Sequence, residues 1–372
     1  MKLEVAATGA VSESVAQLVD LLGRDGDVLS AALGCLDWVA ALPNAAAPGF
    51  VYLAGACRGL AVGGGGRDLV EAAGKLAGET SEALVGMRRG GVQTVPGLSV
   101  DPALRAIWGE GPAVLGESLA SGRAVALPAA AVFRDIDAGE GAPPRSLGAG
   151  AGASREAARL SGLLELVERD AAAAWWSGAT VPRAVAVEDA ARAAAMLAGM
   201  RAGAAGPGRR TVFLVLPSAT GLPVAAALSR DGDGAGGLVV GLKAALELEA
   251  ALIGATLELL QMEIGLEIVR LRAQAGRAAP EDAATLRRAA VDPDAHAAFA
   301  CLPPRPAAGP GLDGLDALVA HLARIGIEPM AVDLDGPPGV AVAKVFAPGL
   351  RPMPGPGPAP AAGSPATVAE LF

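Results

Sequence analysis

The chain has 372 residues, of which 52% are hydrophobic, so it can bury a sizeable core in one large domain or in two or three smaller ones. Its net charge is −9 and no Lys/Arg-rich face is evident, which argues against nucleic-acid binding. Charged residues interrupt every apolar run and the N-terminus lacks signal-peptide regions, which predicts a cytoplasmic protein without a membrane span. Three cysteines and two histidines give little material for disulfides, zinc sites or Ser/His/Asp triads, so the chemistry must depend on carboxylates.

The predicted elements, in chain order, mix helices with strands. A helix at 15–22 and a strand at 51–54 come first, and Gly63–Gly66 is expected to break the pattern. Three long helices follow, at residues 69–85, 154–176 and 245–274, and Ser154 is the expected N-cap of the second.

Shorter elements complete the prediction. A hairpin of 211–216 and 223–228 turns at Thr220–Gly221, and a helix near 315–325 precedes a strand near 340–346. Proline alternates with other residues beyond Pro348, which excludes helix and central strand there. The predicted domains are an N-terminal α/β segment at 1–60, a main domain at 61–350 and a Pro-rich tail at 351–372.

Each long helix carries two polar side chains three residues apart, which places both on one face; the pairs are Glu79/Glu82, Glu165/Glu168 and Glu258/Gln261. The rest of that face is mostly Ala, Gly and Ser, which indicates that another helix or a ligand occupies the space. One such helix is most simply a solvated or packing helix, whereas three together favour a shared site. Five converging carboxylates need cations, and oxygen ligands select Mg2+, so the pattern predicts a magnesium–nucleotide site.

Two glycine-rich segments resemble nucleotide-binding loops only superficially. Gly74-Lys75 is followed by Leu76 where a Walker loop needs Ser or Thr. Gly148–Ala153 meets the loose GxGxxA form, but Pro143–Ser146 stands where the preceding strand should be. We therefore interpret Gly148–Ala153 as a flexible or close-packed turn.

The segment Gly162–Asp170, GLLELVERD, resembles the most characteristic segment of the YcaO family. Gly78–Glu82 is similar to the family's earlier GExxE segment, and Glu258-x-x-Gln261 is similar to its later ExxQ helix. The segments 330–335 and 345–352 resemble the strand and the PGL segment that close the family's fold. The resemblance covers about residues 60–360, and it implies an α+β, YcaO-like fold in which mixed or antiparallel sheets pack with long helices around a central Mg-ATP site.

The resemblance also implies roles for the motif residues. Glu165 and Glu168 are the expected catalytic residues, and the expected magnesium ligands are Glu79, Glu82, Glu165, Glu168 and Glu258. Arg169 and Gln261 are expected to contact ATP together with these carboxylates. Ala83 and Gly254 stand where the family usually has Arg. Lys75 either takes over a phosphate contact or pairs with Glu79.

The family activity implied is phosphorylation of a peptide amide oxygen by ATP, after which a nucleophile replaces that oxygen. A Cys, Ser or Thr nucleophile gives an azoline, and external sulfide, with a TfuA-type partner, gives a thioamide. A non-catalytic scaffold that binds a peptide or a partner protein is the third alternative. The expected partners are a peptide substrate and a leader-peptide-binding or TfuA-like protein, without nucleic acid or membrane, and a homodimer is compatible with the sequence.

Overall fold

The computed structural model describes residues 11–87, 99–137, 142–205, 208–234, 236–294, 296–305 and 309–351. The chain forms two compact units. The first takes in the described residues within Met1–Leu42, Val51–Leu166 and Asp313–Arg351, and the second those within Pro43–Phe50 and Val167–Leu312. The predicted boundaries at residues 60 and 350 stay predictions, and the tail beyond Arg351 lies outside the described residues.

The helices confirm the three long ones predicted and add shorter ones. In chain order they are α1 Val11–Leu22, α2 Arg24–Leu33, α3 Leu69–Val85, α4 Pro102–Trp108, α5 Ala129–Val132, α6 Arg155–Trp176, α7 Val187–Arg201, α8 Leu248–Gln274, α9 Asp282–Ala289 and α10 Gly314–Arg324. A 3-10 turn lies at Ala297–Phe299. Within the described ranges, no helix is long and apolar enough to cross a bilayer.

The strands are β1 Trp38–Ala41, β2 Val51–Cys57, β3 Leu60–Gly66, β4 Ala113–Ser118, β5 Ala124–Pro128, β6 Ala149–Gly152, β7 Arg183–Ala184, β8 Arg209–Leu216, β9 Val224–Asp231, β10 Val239–Ala244, β11 Met330–Leu334 and β12 Ala341–Phe346. The first unit contains the sheets β1-β2-β3 and β5-β4-β11-β12-β6, and the second contains β10-β9-β8-β7. The neighbouring strands in these sheets run antiparallel, and β8 and β9 form the predicted hairpin. The α+β class is confirmed.

The glycine run Gly63–Gly66 is a strand and not a break, so that prediction is wrong. These residues end β3, which pairs with β2 over its whole length. A Cβ on Gly64 would lie 2.2 Å from the Ala72 carbonyl oxygen and 2.4 Å from the Leu76 nitrogen. Glycine is therefore required because the backbone of α3 rests directly on this strand, and that packing fixes α3, whose start is capped by Asp68.

The helix α6 begins where the sequence predicts, since the Ser154 hydroxyl accepts a hydrogen bond from the Ala157 N–H at 3.1 Å. The preceding segment Ala149–Gly152 is a strand, β6, paired with β12, so the predicted turn is wrong although its close packing is right. A Cβ on Gly150 would lie 2.3 Å from the Ala158 carbonyl oxygen. The small residues Ala158 and Gly162 in the first half of α6 therefore accommodate a strand.

In the second unit, α8 lies on the sheet in the same manner. A Cβ on Gly241 of β10 would lie 2.2 Å from the Ala255 carbonyl oxygen. The apolar core beneath α8 includes the fully buried Leu252 and Leu259. This packing holds the face of α8 that carries Glu258.

Candidate functional site

The first cluster of charged residues lies in the first unit, around a cavity of about 270 Å3. Helix α3 contributes Glu79, which is exposed, and Glu82, which is half-buried. The basic residues of the lining are Arg134, Arg145 and Lys344. The cavity thus combines two carboxylates with three cationic side chains.

The Glu82 carboxyl is strongly perturbed by its surroundings. Burial raises its pKa well above the usual range, and the charges of Glu79 and Glu165 raise it further. Lys344 and a backbone hydrogen bond with Ala151 act in the opposite direction. A bound cation would stabilise the ionised form of this group, because three carboxylates otherwise repel one another.

Lys344 on β12 is a buried cation that the sequence analysis missed. Only 2% of the residue is exposed, and its Nζ donates hydrogen bonds to the carbonyl oxygens of Arg145, at 2.7 Å, and Leu147. Burial lowers its pKa to about 8, although Glu165 and Glu82 act to raise it. A lone lysine in the apolar strand Ala341–Phe346 was the available signal, since lysine is almost never buried without a partner.

Glu165 on α6 completes this first cluster. Its Oε2 accepts a hydrogen bond from the Gly148 N–H at 2.9 Å. Together with the two carbonyl contacts of Lys344, this bond fixes the segment 145–148 against the cavity wall.

The second cluster lies in the second unit and contains Glu168, Arg169 and Glu258. Glu168 is only 3% exposed and accepts a hydrogen bond from the Ala244 N–H at 3.2 Å. Its Oε1 lies 3.4 Å from Nη2 of Arg169. Glu258 on α8 accepts a hydrogen bond from the Leu242 N–H at 3.1 Å.

The Glu258 carboxyl of the second cluster is perturbed by its surroundings. Burial raises its pKa to about 7, and the charge of Glu168 adds to the rise. Arg169 and Lys243 act to lower it. Gln261 follows one turn later on the same helix and is half-buried. A carboxyl that titrates near neutrality binds protons and metal ions in competition.

The structure therefore places the predicted residues in two groups, one in each unit. Glu79, Glu82 and Glu165 belong to the first, and Glu168, Arg169, Glu258 and Gln261 belong to the second. Helix α6 is continuous from Arg155 to Trp176, so it carries Glu165 and Glu168 one turn apart.

Lys75 is exposed, and its Nζ lies 3.3 Å from Glu71 Oε1, an ion pair the sequence analysis did not consider. Its predicted role in ATP binding stays a prediction.

The donor atoms fit magnesium better than a transition metal. No group of three or more His, Cys, Asp or Glu side chains within the described ranges is arranged to hold a metal ion as it stands. Mg2+ does not require such a cage, because it usually binds one or two carboxylates and completes its shell with water and substrate phosphates. Carboxylates with basic neighbours in each cluster are therefore compatible with a magnesium–phosphate group.

A family model described as YcaO cyclodehydratase, ATP- and Mg2+-binding, matches residues 90–351, well over half of the chain. The chain belongs to the YcaO family. ATP and Mg2+ are the cofactors of this family, as predicted from the resemblance. The match begins after α3, so the assignment of Glu79 and Glu82 depends on the geometry described above.

Solved structures of YcaO proteins and heterocyclases share the fold. A heterocyclase in complex with substrate and cofactor is 19% identical, with a TM-score of 0.68. The match covers 95% of this chain but only 55% of the heterocyclase. The YcaO protein of Methanopyrus kandleri, bound with AMPPCP and Mg2+, is 21% identical at a TM-score of 0.64, with 90% and 91% coverage.

The E. coli microcin synthetase McbBCD complex with pro-MccB17 gives 15% identity and a TM-score of 0.61, with 83% of this chain and 87% of that one covered. A search of curated proteins found no match. The YcaO-like fold is thus confirmed.

Proposed function

We propose that this YcaO protein uses ATP and Mg2+ to activate backbone amides of a ribosomally made peptide, and that the product is an azoline. The amide oxygen takes the γ-phosphoryl group and ADP leaves. A neighbouring Cys, Ser or Thr side chain then attacks the amide carbon, the bond from that carbon to the phosphorylated oxygen breaks, and phosphate departs. The peptide loses one water per ring, and one ATP becomes ADP and phosphate.

The observation that carries this proposal is the charge pattern of the two clusters. In each, burial and a neighbouring carboxylate raise the pKa of a glutamate, Glu82 in one and Glu258 in the other. In each cluster, a basic side chain has the opposite effect: Lys344 lowers the pKa of Glu82, and Arg169 lowers the pKa of Glu258. Carboxylates attract a metal cation and the basic groups attract phosphate oxygens, so both clusters suit a metal–polyphosphate ligand.

The residues then have distinct roles. When bound, Mg2+ neutralises triphosphate charge, which favours phosphoryl transfer. We assign its binding to Glu79, Glu82, Glu165, Glu168 and Glu258. Arg169 and Gln261 contact the nucleotide, and Glu165 and Glu168 orient the reacting groups. The hydrogen bonds from Gly148 and Ala244 hold these two carboxylates in fixed positions, which limits the reorganisation needed on binding.

We further propose that a separate protein presents the peptide. The similarity to the microcin synthetase McbBCD, which is a complex, supports a multi-protein assembly.

The test is mass spectrometry of a panel of Cys-, Ser- or Thr-containing peptides incubated with the chain, ATP and Mg2+, with phosphate release followed in parallel. We expect loss of one water per modified residue and an equal amount of phosphate, and no change in peptides with Ala at those positions. Replacement of oxygen by sulfur when sulfide is supplied would instead identify thioamide formation. A chain that binds peptide without Mg-dependent nucleotide binding would be a scaffold.

A matched pair of variants makes this test specific. Glu168→Gln should abolish modification because it removes a buried carboxylate of the second cluster. Glu188→Gln, at an exposed glutamate of α7, should leave it unchanged.

A further inference from the structure

The cavity of the first unit contains a basic side chain that no sequence motif identifies. Arg134 follows α5 and borders the cavity on the side of the C-terminal end of α3. Its backbone N–H donates to the Gly86 carbonyl at 2.8 Å, and its Nε lies 3.4 Å from where a Cβ on Gly86 would be. The guanidinium is thus held one turn beyond Glu82 along the cavity wall.

The other two cations of the cavity have protein partners. Arg145 donates from Nε to the Ala130 carbonyl, at 2.9 Å, and from Nη2 to the Ile136 carbonyl, at 2.5 Å. Lys344 donates to the carbonyls of Arg145 and Leu147. These two side chains fix the segments around the cavity, and their hydrogen bonds to the backbone account for their positions.

Arg134 differs from them. Among the described residues, no carboxylate lies within salt-bridge distance of its guanidinium and no oxygen accepts a hydrogen bond from it. Its cationic neighbours are Arg145 and Lys344, and burial and the charge of Arg145 together lower the pKa of Arg134. Two neighbouring guanidinium groups without an acidic partner in the described ranges favour binding of an anion between or beside them.

The opposite charge on the same cavity decides which anion fits. Glu79 and Glu82 would repel a simple anion, but they attract Mg2+. A ligand that carries both a metal ion and negatively charged oxygens satisfies both walls. A metal-bound polyphosphate is such a ligand.

We propose that Arg134 binds a phosphate oxygen of the magnesium-bound nucleotide, an inference that rests on the proposed function. Ala83, which directly follows Glu82, also lines the cavity and brings no charge to it. Arg134 therefore places a guanidinium, from a different segment of the chain, beside the C-terminal end of α3. Arg134 is exposed, so a ligand from solution can reach its guanidinium.

The test is calorimetric titration of Mg-ATP into the wild-type chain and four variants, each checked by thermal melting. Arg134→Ala should bind about tenfold more weakly, the effect of losing about one charge-assisted hydrogen bond. Arg134→Lys should bind with intermediate affinity. Arg67→Ala, at an exposed arginine of the same unit that pairs with Glu71, should bind like wild type. Adding Ala83→Arg to Arg134→Ala should restore much of the loss.

The outcomes separate this inference from the proposed function. If the wild-type chain binds ATP in a Mg-dependent manner and Arg134→Ala binds equally well, the role of Arg134 is refuted while the proposed function stands. If the wild-type chain shows no Mg-dependent binding, both are refuted. An equal loss in Arg67→Ala would show that only general surface charge matters, which also refutes a specific contact.

Discussion

The contact between β3 and α3 predicts that Gly64→Ala destabilises the protein, whereas secondary-structure propensity alone predicts that it stabilises the protein. Alanine is normally preferred to glycine inside a helix or strand by roughly 0.5–1 kcal/mol. At Gly64, however, an added Cβ would lie 2.2 Å and 2.4 Å from two backbone atoms of α3, and neither can move unless the helix does. Overpacking of this kind costs about 1–3 kcal/mol. We expect Gly64→Ala to lower the free energy of unfolding by about 2 kcal/mol.

The assay is chemical denaturation of Gly64→Ala alongside Gly74→Ala as the matched control. Gly74 lies inside α3, and a Cβ there would have no neighbour within 4 Å, so its replacement should stabilise the protein by about 1 kcal/mol. Gly64→Ala should also weaken Mg-ATP binding, since α3 carries Glu79 and Glu82. A Gly64→Ala protein as stable as wild type would refute this account of the packing.

Three further predictions follow from single contacts. Because the folded chain raises the pKa of Glu258 from 4.5 to about 7, it holds that proton more tightly than the unfolded chain, so thermal stability of the nucleotide-free protein should fall as pH rises through this range. Glu258→Gln should flatten that slope, and an unchanged slope would contradict the assignment. Glu263→Ala should cost about 3–5 kcal/mol in denaturation, because it removes the acidic partner of Arg201, whose Nη2 lies 2.6 Å from the Glu263 carboxylate, while Arg209 keeps Asp231. A loss below about 1 kcal/mol would show that the pair adds little. Lys75→Ala should change stability by under about 1 kcal/mol, as for an exposed pair with Glu71, whereas a tenfold loss of ATP affinity would place Lys75 in the site.

Sequence periodicity was sufficient to predict the three long helices. α3, α6 and α8 begin and end within about three residues of their predicted bounds, because capping and apolar spacing are local signals. The glycine-rich strands were missed for the complementary reason. Gly64 and Gly150 are strand residues because a helix from another part of the chain presses on them, and that contact is not encoded by their neighbours in sequence.

The residues of the candidate site were likewise predictable only where they lie on one helix. The glutamate pairs were recognisable because both members lie on one helix. The basic residues beside them were not, since Lys344, Arg134 and Lys243 come from other segments. At Gly254 a Cβ would lie 2.5 Å from Cγ of Lys243, so the side chain of a neighbouring strand fills the space.

The central claim, that the two carboxylate clusters serve an ATP-using magnesium site, is tested most directly by the rate of ATP turnover in Glu165→Ala and Glu168→Ala. Both side chains lie on α6, and the apolar residues Leu163 and Val167 that anchor this helix are untouched. We expect both variants to keep the wild-type circular dichroism spectrum and to lose Mg-dependent ATP hydrolysis. Folded variants that hydrolyse ATP at the wild-type rate would contradict the claim.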